Sequence, residues 1–475
     1  MSNIMKICNE TMVRFSKMAC ALLFFVFGKS LYALTWNVER PYSDDSREIS
    51  MPSFSREREN LIFEKGDKIE IYFFPKKRPY RVEWKISYNM IEVPFMEGRG
   101  ETCIDRSVKV TLNGEKLSPG FYDLRVRVYI SESQWEDGLS TFGYRIDEIG
   151  FTDSFPSDFD DFWKKAKTRL YAEPLDPHEK FICEMDDNEI SAYNPEKASR
   201  PEDYDPEGKV YSRIRVYKIN FNVSGDRFYG WLTLPAGKGP FPGLLIVPGA
   251  GIGRRPIPAE QARHGFATLM LEVHPGLDVD MEKYPKIPEY MKYIRQGYPE
   301  KITDEYYYRM FLGCAQAVNY LKSRIEIDPG RIAVAGQSQG GMLAVVTAGL
   351  CPEVKAAVSC LTGFGYRPFY DHFAKLNSQK SNGIPEMFNP PFSPDDRRQK
   401  YLSYYDTMNF ARRVKCPVIV LSCLCDRITP VTAVYASFRN LGNPASRIFF
   451  SPNTNHDFII AFEKIAWRWL DEVLK

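Results

Sequence analysis

Ser338 has the surroundings of a hydrolase nucleophile. It lies at the centre of the stretch Gly-Gln-Ser-Gln-Gly at 336–340, which matches the pattern Gly-x-Ser-x-Gly. An apolar stretch predicted as a strand, 331–335, precedes the motif, and a predicted helix, 339–350, begins within it. A sharp turn between a strand and a helix exposes the serine hydroxyl, and the flanking glycines let the two elements approach closely. The context therefore favours a catalytic Ser338 over an ordinary turn serine.

A serine hydroxyl needs a neighbouring base, which in enzymes of this kind is a histidine. The chain has five candidates: His178, His264, His274, His372 and His456. The expected order along the chain is nucleophile, acid and base, which leaves His372 and His456. His372 lies in a predicted insertion with no acid-bearing strand before it. His456 follows the last predicted strand and precedes the terminal helix, so we predict that His456 is the base.

The acid is expected in the loop after the strand at 418–423. Asp426 is the carboxylate of that loop, and 30 residues separate it from His456, enough for one helix and one strand. An acid at this position fixes the imidazole tautomer and stabilises the imidazolium ion. The alternative is that Asp426 serves only as an acid near the start of the following helix.

Stabilisation of an oxyanion requires two backbone N–H donors. The first is expected from Gln339, the residue after the nucleophile. The second is expected from the loop after the strand at 243–247, where we predict Ala250, with Gly251 as the alternative, because small residues permit close approach to a ligand. No metal or other cofactor is expected to take part.

Predicted strands and helices alternate around these residues. The continuous apolar run at 243–247 is typical of a strand buried in a parallel sheet. The alternation predicts an α/β domain over residues 151–475, built on a doubly wound, mostly parallel sheet. Two irregular insertions, 274–303 and 362–400, interrupt it, and residues 171–209, which are rich in proline and charge, are predicted to form a loop.

Residues 35–150 differ in character from the rest of the chain. Apolar and polar residues alternate there in short runs, and turn-forming residues such as Asn113-Gly114 lie between the runs. This pattern predicts a small antiparallel β-sandwich. The segment contains no histidine and no catalytic constellation, so we predict that it is an accessory domain.

The N-terminus has the pattern of an export signal. Basic residues precede an apolar run at 18–28, which is too short for the roughly 20 residues of a membrane span. We predict a signal peptide over residues 1–34 with cleavage near Ala33; the alternative is an uncleaved anchor. The mature protein is then expected in the periplasm or outside the cell, without stable membrane insertion.

The charge balance excludes one class of partner. Lys and Arg number 63 against 61 Asp and Glu, so the net charge is +2, which gives no electrostatic basis for binding nucleic acid. None of the ten cysteines forms a Cys-x-x-Cys pair, so no metal site is predicted.

The chain from about 155 to 475 resembles the acetyl xylan esterase and cephalosporin C deacetylase family. The likeness rests on several motifs: Asp-Phe-Asp-Asp-Phe-Trp at 158–163, Gly-Gln-Ser-Gln-Gly-Gly at 336–341, the stretch at 404–418, the loop at 426–430, and His456. The resemblance implies an α/β-hydrolase fold. It also implies a serine esterase that removes O-acetyl groups from sugars such as acetylated xylo-oligosaccharides.

Three features depart from the family pattern. Family members usually carry Arg-Gly-Gln where this chain has His274, Pro275 and Gly276, and we predict that these three residues contact the substrate. Asp457 follows the predicted base, where the family tends to have glutamate. The additional β domain leaves open whether this chain forms the family's usual ring-shaped oligomer.

Both insertions follow strands at their C-terminal ends, the face where ligands bind in open α/β sheets. We predict that they line the part of the pocket that binds the leaving group. Their aromatic rings are expected to stack on sugars; the alternative is that the rings pack the insertions together. The rings in question are Tyr284, Tyr290, Tyr293, Tyr298, Tyr366, Phe369 and Tyr370.

Two other functions stay open. Some serine peptidases share Gly-x-Ser-x-Gly-Gly and carry an additional β domain, usually a large propeller, for which about 115 residues are too few. A carbohydrate-binding protein with an inactive hydrolase domain is the other alternative, and the complete set of serine, acid and histidine argues against it.

Overall fold

The computed structural model describes most of the chain after residue 59. The described residues are 60–75, 77–91, 93–193, 210–280, 301–366, 369, 401–457 and 460–474. The predicted signal at 1–34 and most of both insertions lie outside them. The chain divides into two compact units, and the boundary lies between Glu148 and Ile149.

Eight strands in the described part of the first unit form two sheets. They are β1 (Ile62–Phe63), β2 (Ile69–Phe73), β3 (Arg81–Tyr88), β4 (Met96–Arg99), β5 (Glu101–Thr102), β6 (Val108–Leu112), β7 (Gly120–Tyr129) and β8 (Trp135–Tyr144). The orders are β1-β8-β7-β3-β4 and β2-β6-β5. Every neighbouring pair is antiparallel except β1 and β8, which run parallel, an exception to the predicted antiparallel pattern. In β2, Ile69, Ile71 and Phe73 are buried and alternate with half-buried residues, as expected for a strand with one buried face.

The second unit contains a nine-stranded sheet. Its strands are β9 (His178–Asp186), β10 (Arg213–Val223), β11 (Asp226–Pro235), β12 (Phe241–Val247), β13 (Ala267–Leu271), β14 (Ile327–Gln337), β15 (Val354–Cys360), β16 (Val418–Cys423) and β17 (Arg447–Ser451). Their order is β17-β16-β15-β14-β12-β13-β11-β10-β9. The pairs from β17 to β13 are parallel, and β11, β10 and β9 complete the sheet in antiparallel pairs. The predicted mostly parallel α/β sheet is confirmed.

Helices connect these strands. In the described residues they are α1 (Phe159–Ala172), α2 (Asp187–Tyr193), α3 (Ala259–Arg263), α4 (Tyr306–Ser323), α5 (Gln339–Leu350), α6 (Thr407–Ala411), α7 (Val431–Arg439) and α8 (Ile460–Leu474). Short 3₁₀ turns lie at Gly114–Lys116, Ile146–Glu148 and Ile302–Asp304. No helix in these ranges is long and apolar enough to cross a bilayer.

Both faces of the parallel strands are buried. Leu245 and Val247 of β12 belong to a large core that includes residues of α1, α4 and α5, whereas Leu244 belongs to a second core with residues of α8. Successive side chains of a strand point to opposite faces, so the two cores lie on the two sides of the sheet. This arrangement explains why β12 is apolar without interruption in the sequence.

The predicted loop over residues 171–209 is wrong in its first part. The structure has strand β9 and helix α2 there, and residues 194–209 lie outside the described ranges. β9 is the edge strand of the sheet, and Met185 alone among its nine residues is buried. An exposed edge strand needs no apolar alternation, so its charged composition gave a loop-like signal.

Candidate active site

Ser338 occupies the sharp turn between β14 and α5. Its backbone has φ 59° and ψ −118°. This conformation is energetically unfavourable for residues other than glycine. Hydrogen bonds hold this backbone in place: the N–H donates to Cys360 O over 2.8 Å, and the carbonyl accepts from Met342 N at 3.1 Å and from Gly363 N at 3.2 Å. The turn thus projects the serine side chain from the carboxyl end of a central strand.

The glycines of the motif are needed for close backbone contact. A Cβ on Gly336 would lie 2.4 Å from Gly340 O, and a Cβ on Gly340 would lie 2.3 Å from Val247 O. Neither position has room for a side chain, because non-bonded heavy atoms need about 3.5–4.0 Å. The motif therefore brings β14, α5 and the end of β12 together around Ser338.

The three side chains predicted to do chemistry meet at this turn. His456 Nε2 lies 2.9 Å from Ser338 Oγ, and His456 Nδ1 lies 2.7 Å from Asp426 Oδ2. The His456 side chain is 18% exposed, whereas Asp426 is completely buried. This geometry permits proton transfer between the serine hydroxyl and the ring, with the acid holding the ring from its other side.

Thr429 is part of the site, and the sequence reasoning missed it. Its hydroxyl donates to Asp426 Oδ2 over 2.6 Å, and its N–H donates to Asp426 Oδ1 over 2.8 Å. Ile428 N donates to the same Oδ1 at 2.8 Å. The sequence signal that could have indicated this turn is a threonine three residues after an acid, directly before Pro430 and a helix.

The two predicted oxyanion donors lie on adjacent segments. Gln339 is the first residue of α5, and the first N–H groups of a helix have no partner within it. Val247 pairs with Gly336 across β12 and β14, so the loop that carries the exposed Ala250 starts beside the turn. A Cβ on Gly249 would lie 3.4 Å from Gln337 O, which shows how closely this loop approaches β14.

The predicted substrate contacts at 274–276 differ in accessibility. His274 is 1% exposed, and its Nε2 lies 3.3 Å from Gly251 O while Tyr306 Oη is hydrogen-bonded to its Nδ1. Burial lowers the pKa of His274, so the ring is uncharged at neutral pH. Pro275 is also buried, and Gly276 is exposed. Of the three, Gly276 alone offers an accessible surface.

Most of the predicted stacking aromatics lie outside the described residues: Tyr284, Tyr290, Tyr293, Tyr298 and Tyr370. Tyr366 is described, and its hydroxyl accepts from Thr152 N at 3.2 Å while its ring meets Phe151 edge-on at 5.0 Å. Phe369 is half-buried, and its N–H donates to the Tyr366 carbonyl. Tyr366 thus packs against residues 151 and 152, outside both insertions.

The described cysteines are all free, and six of the eight are buried. Burial raises the pKa of the Cys423 thiol to about 12, which keeps it protonated. No cluster of three or more His, Cys, Asp or Glu suited to a metal ion occurs in the described part of the chain.

Comparison with known proteins agrees with this architecture. The family model for acetyl xylan esterases matches residues 145–473. The acetyl esterase Axe7A of Xylanibacter ruminicola is 27% identical over 469 residues, which cover 95% of this chain and 96% of that protein.

Two solved structures share the fold of about two thirds of the chain. The acetyl xylan esterase from Paenibacillus sp. R4 has a TM-score of 0.53 at 24% identity, over 68% of this chain and 97% of its own. Acetyl xylan esterase 1 from Thermoanaerobacterium sp. JW/SL YS485 has a TM-score of 0.54 at 22% identity, and the match covers 69% of this chain and 97% of that protein. With the family match over more than half of its length, the chain belongs to the acetyl xylan esterase family and is a carboxylic ester hydrolase of the α/β-hydrolase fold.

Proposed function

We propose that this protein removes O-acetyl groups from sugars, such as acetylated xylo-oligosaccharides, through an acetyl-enzyme on Ser338. One observation carries the serine mechanism: His456 contacts Ser338 Oγ through Nε2, at 2.9 Å, and the buried Asp426 through Nδ1, at 2.7 Å. A hydroxyl with such a base, itself oriented by a carboxylate, is an activated nucleophile.

The first half of the reaction transfers the acetyl group to the enzyme. His456 Nε2 accepts the proton of Ser338 Oγ as that oxygen bonds to the ester carbonyl carbon. The carbonyl oxygen becomes negatively charged, and the N–H groups of Gln339 and Ala250 stabilise it. Protonated His456 then gives its proton to the sugar oxygen as the carbon–oxygen bond to the sugar breaks, which releases the free hydroxyl.

The second half regenerates the enzyme. His456 takes a proton from water, and the resulting hydroxide oxygen bonds to the carbonyl carbon of the acetyl-Ser338 ester. The bond from this carbon to Ser338 Oγ breaks, Oγ regains a proton from His456, and acetate leaves. Asp426 accepts hydrogen bonds from the Thr429 hydroxyl and from His456, and so holds the imidazole in the same orientation in both halves of the reaction.

The sugar substrate is supported by family membership and by the name of the Xylanibacter ruminicola relative, an acetyl esterase. Acetate release should be measured with acetylated xylo-oligosaccharides, other acetylated glycans and cephalosporin-type acetates, with Ser338→Ala as the control. We expect release from the xylo-oligosaccharides by the native protein only. Release of amine from model peptides without acetate from any ester would instead point to a peptidase.

We also propose that the protein is exported. The support is the order of basic residues and the apolar run at 18–28, which is that of a signal peptide. The mature chain should then begin between about Ser30 and Thr35. Intact-mass measurement of protein from the native host decides the point, since a mass that retains residues 24–27 would contradict processing.

A further inference from the structure

The loop that bears the predicted oxyanion donor Ala250 is held at its far end by two hydrogen bonds to one carbonyl. Gly251 O accepts from Arg255 Nη2 at 2.9 Å and from His274 Nε2 at 3.3 Å. Gly251 has φ 115°, a backbone conformation that favours glycine. The same carbonyl therefore ties this loop to two side chains from outside it.

Arg255 is itself fixed by a buried ion pair. Its Nε lies 2.6 Å from Glu272 Oε2, and the Glu272 side chain is completely buried. Glu272 Oε1 accepts the backbone N–H of His274 at 2.9 Å. Trp231 Nε1 donates to the Arg255 carbonyl at 3.1 Å. Arg255, Glu272, His274 and Gly251 thus form a closed ring of contacts behind the loop.

Tyr306 sets the tautomer of His274. As the first residue of α4, Tyr306 brings its hydroxyl to His274 Nδ1. Because burial lowers the pKa of His274, the ring is neutral, and a neutral imidazole has one donor and one acceptor nitrogen. When Nδ1 accepts from the tyrosine hydroxyl, Nε2 carries the hydrogen that Gly251 O requires.

The near end of the loop is fixed by the nucleophile turn. Pro248 O and Val247 O lie 3.1 Å and 2.3 Å from the position that a Cβ on Gly340 would occupy. Between these contacts and the Gly251 carbonyl lie only Gly249 and Ala250. The position of the Ala250 N–H is therefore determined by the turn on one side and by Arg255 and His274 on the other.

We propose that His274 is a positioning residue for this reaction: with Arg255, it holds the loop 248–251 where the Ala250 N–H stabilises the oxyanion. This inference rests on the proposed acyl-enzyme mechanism. It gives the buried His274 a role other than the substrate contact predicted from the sequence. A displacement of about 1 Å at such a donor can cost on the order of 10² in rate.

His274 is the residue to change, because truncating either member of the buried Arg255–Glu272 pair would strongly destabilise the fold. His274→Phe keeps a ring and removes both hydrogen bonds. His274→Gln keeps an amide donor that can reach the position of Nε2. Thr233→Val is the matched control: the buried Thr233 hydroxyl donates to Pro258 O at 2.9 Å, and Pro258 is not part of the loop 248–251.

The measured quantities are kcat and KM for p-nitrophenyl acetate, together with Tm. The concentration of active sites is determined by labelling Ser338 with a fluorophosphonate, and kcat is given per labelled site. We expect His274→Phe to lower kcat by about 10- to 100-fold, because the Ala250 N–H is displaced but not removed; loss of an oxyanion donor costs about 10²–10³. KM should stay within about threefold of the native value. His274→Gln should recover most of this loss. Thr233→Val should lower Tm but keep kcat per labelled site.

A double-mutant cycle separates positioning from general destabilisation. Tyr306→Phe should lower kcat less than His274→Phe, and the double variant should be no slower than His274→Phe alone, because Tyr306 acts on the loop only through His274. Native kcat per labelled site in His274→Phe, or a Gln variant as slow as the Phe variant, would overturn the proposal. Native activity in Ser338→Ala would instead overturn the proposed function, whatever the His274 variants do.

Discussion

Thr429 and Asp426 are joined by a hydrogen bond of 2.6 Å, from Oγ1 to the same Oδ2 that accepts from His456 Nδ1. The threonine hydroxyl also lies 3.4 Å from His456 Nδ1. Thr429 therefore fixes the carboxylate oxygen on which the orientation of the imidazole depends.

Thr429→Val should lower kcat for p-nitrophenyl acetate by about tenfold, since a hydrogen bond to a charged group contributes about 1.5–3 kcal/mol. The backbone N–H groups of Ile428 and Thr429 still hold the other carboxylate oxygen, so the protein should stay folded. Thr429→Ser keeps the hydroxyl and is the control. Equal rates for the Val variant and the native protein would show that the hydroxyl is dispensable.

Ser338→Ala should fold normally and reduce esterase turnover by several orders of magnitude. His456→Ala should have nearly the same effect, and the double variant should be little slower, because the two residues act as a unit. Turnover of the purified variants, with circular dichroism as the folding control, checks this. A His456→Ala enzyme of near-native rate would require another base.

Acyl chain length should matter steeply if the enzyme is built for acetyl groups. An additional methylene that does not fit costs about 1–3 kcal/mol, so p-nitrophenyl acetate should be cleaved much faster than the butyrate or the octanoate. The comparison of kcat/KM for the three esters measures it. A preference for octanoate would mean an open, lipase-like pocket and would contradict the proposed sugar deacetylase activity.

Gly340→Ala should destabilise the protein by about 1–3 kcal/mol, because the added Cβ would lie 2.3 Å from Val247 O. Gly150→Ala is the control, since no heavy atom lies within 4 Å of its Cβ position. Urea unfolding followed by tryptophan fluorescence gives both free energies. Equal stability of the two variants would show that the turn relaxes at no cost.

The stability of the protein should fall in acid partly through His274. Its folded-state pKa is lowered by burial from 6.5, and the nearby Arg255 adds to the effect while Glu272 opposes it. The unfolded chain therefore binds a proton below pH 6.5 that the folded chain excludes, and the stability present above this pH is lost as the pH falls towards the folded pKa.

His274→Gln lacks this titration. Its free energy of unfolding should consequently fall less between pH 7.5 and pH 5 than that of the native protein. Urea unfolding at both pH values makes the comparison, and parallel losses in the two proteins would exclude His274 as the source.

Elements with strong local signals were predicted closely from the sequence. β16 and α5 begin and end at the predicted residues, since both are mostly apolar and almost completely buried. The nucleophile turn combined a motif with a strand before it and a helix after it. The chain order left His372 and His456, and the position of His456 after the last predicted strand selected it as the base.

What the sequence did not predict depends on contacts between distant residues. The role of His274 arises from Gly251, 23 positions away, and from Tyr306, 32 positions away. No periodicity encodes such contacts. Thr429 carried only a weak local signal, and β9 carried a misleading one, because an exposed edge strand has the composition of a loop.

Ser338 holds its strained backbone at a cost of about 1–3 kcal/mol, which a glycine at the same position would not bear. Selection for durability alone would therefore favour glycine at this site, and only selection for turnover keeps a serine there. On the proposed mechanism, the protein therefore gives up stability at this one residue in exchange for turnover.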